Sequence, residues 1–201
     1  GVEEKYDPQL TPITVDGEDI GYRKFTWLMM HKPGGVLSAT EDGRGETVLD
    51  LLSPELRRLG LFPVGRLDKD TEGLLLVTDD GALSHALMSP SRHVSKVYEA
   101  ELDGTLVPDA AERFGAGLTL RDGTVCRPAL LELLPDGRVR VTLHEGKYHQ
   151  VKRMIAACGA TVTFLKRVQL GGVRLDESLA PGEFRELTEE ELGALRPPDG
   201  L

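Results

Sequence analysis

The sequence predicts an α+β protein in which a mixed, mainly antiparallel central sheet carries flanking helices. Three observations lead there. Short strand-like runs are joined by hairpin text such as Arg121-Asp122-Gly123-Thr124 and Pro135-Asp136-Gly137. Helical text is brief and falls between the strands, with one strongly amphipathic stretch at Val151, Met154, Ile155 and Cys158. At 201 residues, 40% hydrophobic and 28% charged, the chain is long enough for one well-packed domain plus a small appendage.

Taken in order, the first twenty residues, with Asp7-Pro8, Thr11-Pro12 and Asp16-Gly17, read as turns around a short strand at Ile13 to Val15. Strand text runs from Phe25 to Met30 and ends at Lys32-Pro33-Gly34-Gly35, a turn in which Lys32 is expected to be solvated. Thr47 to Leu52 and Pro54 to Leu59 are short helical candidates, the second with proline in its first turn after Ser53. Leu61 to Val64 leads into a polar loop, and Leu74 to Thr78 reads as a buried strand. Asp79 or Asp80 is expected to cap a helix from Ala82 to Met88, since a carboxylate there accepts the free amides of the first turn.

Lys96 to Leu102 alternates, so Tyr98 shares a face with Ala100 and Leu102 and points inward. A helix near Pro108 to Phe114 and strands at Ala129 to Leu134 and Arg138 to Leu143 follow. The apolar stripe of Val151, Met154, Ile155 and Cys158 makes the next segment a helix, with Gly159 where a left-handed cap belongs. A second stripe at the same spacing, His149, Lys152, Arg153 and Ala156, is cationic at its N-terminal end. Ala160 to Val168 reads as a strand carrying Lys166 and Arg167, turning at Gly171-Gly172 into another. The tail holds a short strand at Phe184 to Leu187, then Thr188-Glu189-Glu190-Glu191, a capping box opening a last helix, and Pro197-Pro198 ends the ordered chain.

The net charge of −9 argues against a nucleic-acid partner until its distribution is considered. From Arg138 to Arg167 the basic side chains face one acid, Glu145, whereas the acids gather after Asp176. A basic face on an acidic body is therefore expected. Cys126 and Cys158 lack any CxxC spacing and read as buried free thiols, and the histidines show no short metal-ligand spacing beyond His144 and His149 bracketing Glu145. No metal site is expected. No apolar run approaches a membrane span, and Gly1 to Lys5 lacks the pattern of an export signal, so the expected location is cytoplasmic, away from any membrane.

The stretch Pro63-Val64-Gly65-Arg66-Leu67-Asp68-Lys69-Asp70-Thr71-Glu72-Gly73 is a polar loop flanked by glycines, mounted on the buried strand that follows. A carboxylate that stays ionised in a partly buried cleft needs a cation, which Lys152 or Arg153 could supply. A flat aromatic such as Tyr98 could stack on a base or sugar ring. These parts suit chemistry at a glycosidic carbon.

Gly65-Arg66-Leu67-Asp68 with Thr71-Glu72-Gly73-Leu74-Leu75 resembles the signature of the RNA pseudouridine synthases. Ser95-Lys96-Val97-Tyr98 and Gly146-Lys147-Tyr148-His149-Gln150-Val151-Lys152-Arg153-Met154 resemble that family's second and third motifs. With Ala180-Pro181-Gly182-Glu183-Phe184-Arg185 and Leu187 to Glu191 added, the chain is most similar to the RsuA branch, which modifies one uridine of 16S ribosomal RNA, from about Lys24 to Leu192. The resemblance implies the pseudouridine synthase fold over residues 21–201, with residues 1–20 as the C-terminal remnant of an alpha-L type RNA-binding module. It implies that Asp68 is the essential aspartate, Tyr98 the active-site tyrosine and Lys152 the basic partner of Asp68. Leu165 would lie beneath the target base. Arg66, Lys96, Lys147, His149, Gln150 and Arg153 are candidates for phosphate and sugar contacts. Neither cofactor nor metal is implied. Asp68 either attacks the ribose or removes its C2′ proton.

The expected partner is ribosomal RNA, 16S in preference, free or in a small-subunit assembly intermediate, bound by a monomer. A synthase acting on 23S ribosomal RNA, and a catalytically silent RNA-binding assembly factor, are the alternatives. A carboxylate-dependent glycosidase would need a second positioned acid, for which Asp70 and Glu72 are available.

Overall fold

The run Leu74 to Val77 is completely buried, and its surroundings explain why four apolar residues stand in succession. In the computed structural model they lie in the strand Glu72–Thr78 (β5), which has a hydrophobic layer on each face. Leu74 and Leu76 pack with Trp27, Met29, Val64, Leu83 and Leu87, while Leu75 and Val77 pack with Leu28, Met30, Val48, Leu61 and Leu67. Each such leucine contributes about 1.5–3 kcal/mol by leaving water.

The structure describes residues 24–196 apart from 42 and 44, together with the backbone of a separate hairpin formed by the strands Ile13–Val15 (β1) and Glu18–Tyr22 (β2). Pro197-Pro198 lies outside the described residues. The next strand, Trp27–Lys32 (β3), is buried along its whole length and runs antiparallel to β5. Between them come a 3-10 turn at Val48–Leu51, a short helix at Pro54–Arg57 (α1) capped by Ser53, and the two-residue strand Phe62–Pro63 (β4). Both helical candidates are thus present but shorter than their text suggested.

Asp80 caps the helix Gly81–Met88 (α2) by accepting from the Leu83 amide at 3.1 Å. Asp79 takes a different part, accepting from the Thr26 amide at 2.9 Å and so tying β3 to the end of β5. Strand Lys96–Gly104 (β6), helix Ala110–Ala116 (α3) and the hairpin strands Leu130–Leu133 (β7) and Val139–Leu143 (β8) follow. The text at 121–124 forms a tight turn closed by a single bridge between Thr119 and Val125, without flanking strands. Helix Gln150–Ala157 (α4) ends with Gly159 at φ +97°, the left-handed cap its position implied. Strand Ala160–Leu170 (β9), the short strands Val173–Arg174 (β10) and Phe184–Glu186 (β11), and helix Glu189–Leu195 (α5) with its Thr188–Glu191 capping box complete the chain.

Apart from the β1–β2 hairpin, the described strands form one sheet in the order β11-β3-β5-β9-β6-β8-β7, with β4 on β5 and β10 on β9. Every pairing in it is antiparallel except that of β5 with β9. That parallel contact is confined to Glu72 opposite Lys166 and Gly73 opposite Arg167. It joins two halves of the sheet, one built on the layers around β3 and β5, the other on a core that includes Phe114, Val141, Met154 and Ile155. At this seam Gly73 has φ +112°, and a Cβ there would overlap the backbone of Arg167. Only glycine allows so close an approach at that dihedral.

Gly73→Ala should therefore lower stability by about 3 kcal/mol or more in urea unfolding, because neither the dihedral nor the facing backbone can relax cheaply. A loss below about 1 kcal/mol would mean that the seam yields.

Candidate active site

A cavity of about 370 Å3 opens over the seam, within the range of roughly 300–1,000 Å3 common for small-ligand sites. Its floor is the face of β6 and β9 that carries Lys96, Tyr98, Leu165 and Arg167, where Tyr98 stands opposite Arg167 across the ladder. One wall is the loop 65–71 with Arg66 and Asp68; the other is the segment 143–152 with Lys147, His149, Gln150 and Lys152. Tyr98 is half-buried against two core layers, as its strand alternation required.

Asp68 and Lys152, 84 residues apart in sequence, meet here: Lys152 Nζ donates to Asp68 Oδ2 at 3.3 Å. The same ammonium donates to Asp70 Oδ1 at 2.8 Å. Burial works against the Lys152 charge, but the hydrogen bond to Asp70 and the charges of both aspartates raise its pKa on balance. That hydrogen bond in turn holds the Asp70 carboxyl below its usual range. Asp70 is 76% exposed and tunes the lysine from outside the cleft. On the other side of Asp68 Oδ2 lies His149 Nε2, at 3.5 Å.

Not every candidate reaches the cavity. Arg153 turns outward, donating to Asp122 at 2.6 Å and to the Tyr148 carbonyl at 3.0 Å, so of the two cations considered for Asp68 only Lys152 contacts it. Gln150 borders the cavity but is buried, its carbonyl accepting from the Lys147 amide at 2.9 Å and its amide donating to Glu145 at 2.7 Å. Burial opposes the Glu145 charge, yet the Arg127 amide, Gln150 and Lys147 together hold its carboxyl below the ordinary range. Glu145 and Gln150 thus shape the wall from behind. Lys96 is depressed by burial first and by the Arg167 guanidinium second.

Two further cations lie outside the site candidates read from the sequence. Arg167 is 2% exposed; its Nε donates to the Leu74 carbonyl at 3.0 Å, and its Nη2 finds no partner among the described residues. Lys32, expected in solvent, is fully buried. Its ammonium donates to the carbonyls of Pro33 at 2.9 Å, Lys69 at 3.0 Å and Thr71 at 2.7 Å. A turn lysine is drawn inward because the loop brings two carbonyl oxygens to it from nearly forty residues away. Ser38 assists, donating to the Leu67 carbonyl and accepting from its amide, both at 3.1 Å. The backbone on either side of Asp68 is thereby fixed.

Comparison with known proteins decides the chemistry. A family model described as RNA pseudouridylate synthase matches residues 26–157. The chain belongs to that family. It is accordingly a pseudouridine synthase, an RNA isomerase. It is 50% identical to an uncharacterized RNA pseudouridine synthase, YtzG, of Bacillus subtilis, across 98% of this chain and 84% of that protein. It is 46% identical to ribosomal small subunit pseudouridine synthase A of Vibrio cholerae across 89% and 78% of the two chains, and 44% identical to its Escherichia coli namesake across 84% and 73%. A crystal structure of a pseudouridylate synthase, 40% identical, superposes with a TM-score of 0.81 over 86% of this chain and 74% of that one. The archaeal box H/ACA Nop10–Cbf5 complex, at 22% identity and TM-score 0.58, shares the fold.

Burial lowers the Lys32 pKa from 10.5 to about 8, against the opposing charges of Glu72, Asp70 and Asp68. Because the folded value lies below the unfolded one, the unfolded chain binds more protons between about 8 and 10.5, and Lys32's contribution to stability grows as pH rises through that window. Lys32→Met should cost about 3 kcal/mol near neutral pH by leaving carbonyls unpaired, and urea midpoints should show a larger deficit at pH 9.5 than at pH 7.5. A deficit that shrinks with pH would mean that the buried charge is stabilised.

Proposed function

We propose that this chain converts a uridine of 16S ribosomal RNA to pseudouridine, with Asp68 as the essential carboxylate. The Lys152–Asp68 contact at the mouth of a cavity floored by Tyr98 and Leu165 carries the reading. A uridine swung out of the RNA would enter with its ring over Tyr98 and Leu165 and its ribose towards Asp68. Asp68 attacks the ribose or removes its C2′ proton. The bond from C1′ to N1 breaks with its electron pair going to the uracil. The ring rotates and C5 bonds to C1′, displacing Asp68 where it had attacked the ribose, or with the proton returned to C2′ where Asp68 had removed it; the C5 proton then leaves and N1 takes one up, so the product is an isomer. Lys152 holds Asp68 oriented through its hydrogen bond to Oδ2. Tyr98 holds the detached ring or assists loss of the C5 proton.

Arg66, Lys96, Lys147 and His149 line the same cleft and are assigned here to sugar and phosphate contacts. They would present a cationic surface on a protein whose net charge is −9. The small-subunit target is supported by the names of the Vibrio cholerae and Escherichia coli relatives. We read residues 21–201 as the catalytic domain of a cytoplasmic monomer, and residues 1–20 as the end of an RNA-binding module.

Tritium release from C5-labelled uridine in 16S RNA or an immature small subunit should fall by at least about a thousandfold in Asp68→Asn, with unchanged unfolding behaviour. A fully active Asp68→Asn protein would sink the assignment. Pseudouridine mapping in cells lacking the protein should reveal one missing 16S position; loss of a 23S position with 16S intact would move the substrate to the large subunit.

A further inference from the structure

Tyr148 has no part in the fold or in the chemistry assigned above. Its side chain is 74% exposed, although a ring of this size ordinarily finds cover. It is nevertheless held in place. The ring stacks on that of His149, with centroids 3.8 Å apart and planes inclined by 19°. His149 sits in the left-handed region, φ 46° and ψ 40°, a conformation that a non-glycine residue adopts at some cost and that the surrounding contacts must impose. Those contacts are present on both sides: the Tyr148 carbonyl accepts from Arg153, which Asp122 anchors, and the Lys147 amide is held by Gln150.

The placement gives this exposed ring a direction. His149 separates it from Asp68, whose Oδ2 is 3.5 Å from His149 Nε2. Tyr148 therefore stands one ring away from the carboxylate, beside the mouth of the cleft, with one face covered by imidazole and most of the ring open. Lys147, next in the chain, and Arg66 on the opposite wall are exposed cations suited to a passing phosphate backbone.

We propose that the open face of Tyr148 is a stacking platform for a nucleobase that neighbours the uridine entering the cleft. The proposal rests on the pseudouridine synthase reading of this site. Taking one base out of an RNA stack strips its neighbours of a partner, and an aromatic ring fixed at the point of exit replaces what they lose. Because every base has a π-face, the platform selects for stacking and not for base identity. Its rigid mounting on His149 means that little freedom is lost when the base arrives.

The test is steady-state tritium release on C5-labelled 16S and 23S transcripts by wild type, Tyr148→Ala, Tyr148→Leu, Tyr148→Phe and Tyr148→Trp, with melting temperatures measured alongside. Ala and Leu should both lose roughly ten- to hundredfold in kcat/KM, largely through KM, while Phe and Trp stay within about threefold. All four should melt within about 2 °C of wild type, since the side chain is exposed. Leucine is the discriminating variant: it shields His149 and Asp68 from water but offers no π-face. Leu behaving like Phe, or Ala at the wild-type rate, would overturn the platform while leaving the enzymatic reading intact. A wild-type protein that releases no tritium from either transcript would overturn both.

Discussion

The ammonium of Lys32 beneath the 65–71 loop is the contact on which the site geometry depends. Three carbonyl oxygens converge on it, two of them from Lys69 and Thr71, which bracket Asp70, the first directly after Asp68 in the chain. A loop rich in charges and glycines would otherwise sample many conformations, and a carboxylate on it would have no fixed relation to a substrate. Burying a cation with its donors satisfied by backbone, instead of by another carboxylate, fixes the loop without neutralising the acids that face the cleft. Lys152 then has to meet only the side chain of Asp68, because the main chain is already placed. This division of labour between a cation under the loop and a cation over it accounts for the need for two lysines in one small site.

The fold delivers those two lysines from different halves of the sheet. Lys32 ends β3, on the side whose layers bury β5 from both faces; Lys152 rides on α4, packed over the other half. The halves are joined by two residues of parallel pairing at Gly73 and Arg167. A cleft follows from this geometry, since strands that pair only at one end diverge beyond it. Its cationic lining also explains how an acidic protein can serve RNA: Arg66, Lys96, Lys147, Lys152 and Arg167 line the cleft, and the segment 147–167 holds no acid, while acids gather after Asp176.

Much of this was legible in the sequence. The apolar stripe through Val151, Met154, Ile155 and Cys158 oriented α4 and so placed Lys152 over the cleft, and the alternation around Tyr98 placed its ring on the floor. The Thr188–Glu191 cap and the left-handed Gly159 are local chemistry and were read as such. What escaped reading depends on partners far along the chain. Lys32-Pro33-Gly34-Gly35 is turn text in any local view, and nothing near it signals that the carbonyls of Lys69 and Thr71 will arrive. Arg153 and Lys152 are adjacent on a helix and so point about 100° apart; the stripe alone could not tell which would face Asp68, and Asp122 claims Arg153. Gln150 sits among RNA-binding candidates in sequence, yet its amide is occupied on both sides by Lys147 and Glu145.

The most direct test of the account is a crystal structure of the protein with a 16S RNA fragment carrying 5-fluorouridine at the modified position. Fluorine cannot leave C5 as the proton does, so the ring should be caught in the cleft. The account predicts the fluorinated ring resting over Tyr98 and Leu165, with the Asp68 carboxylate about 3–3.5 Å from the ribose carbons or their product and Lys152 still paired to it. A fluorinated base left stacked in the RNA, or bound with Asp68 turned away from the sugar, would contradict it.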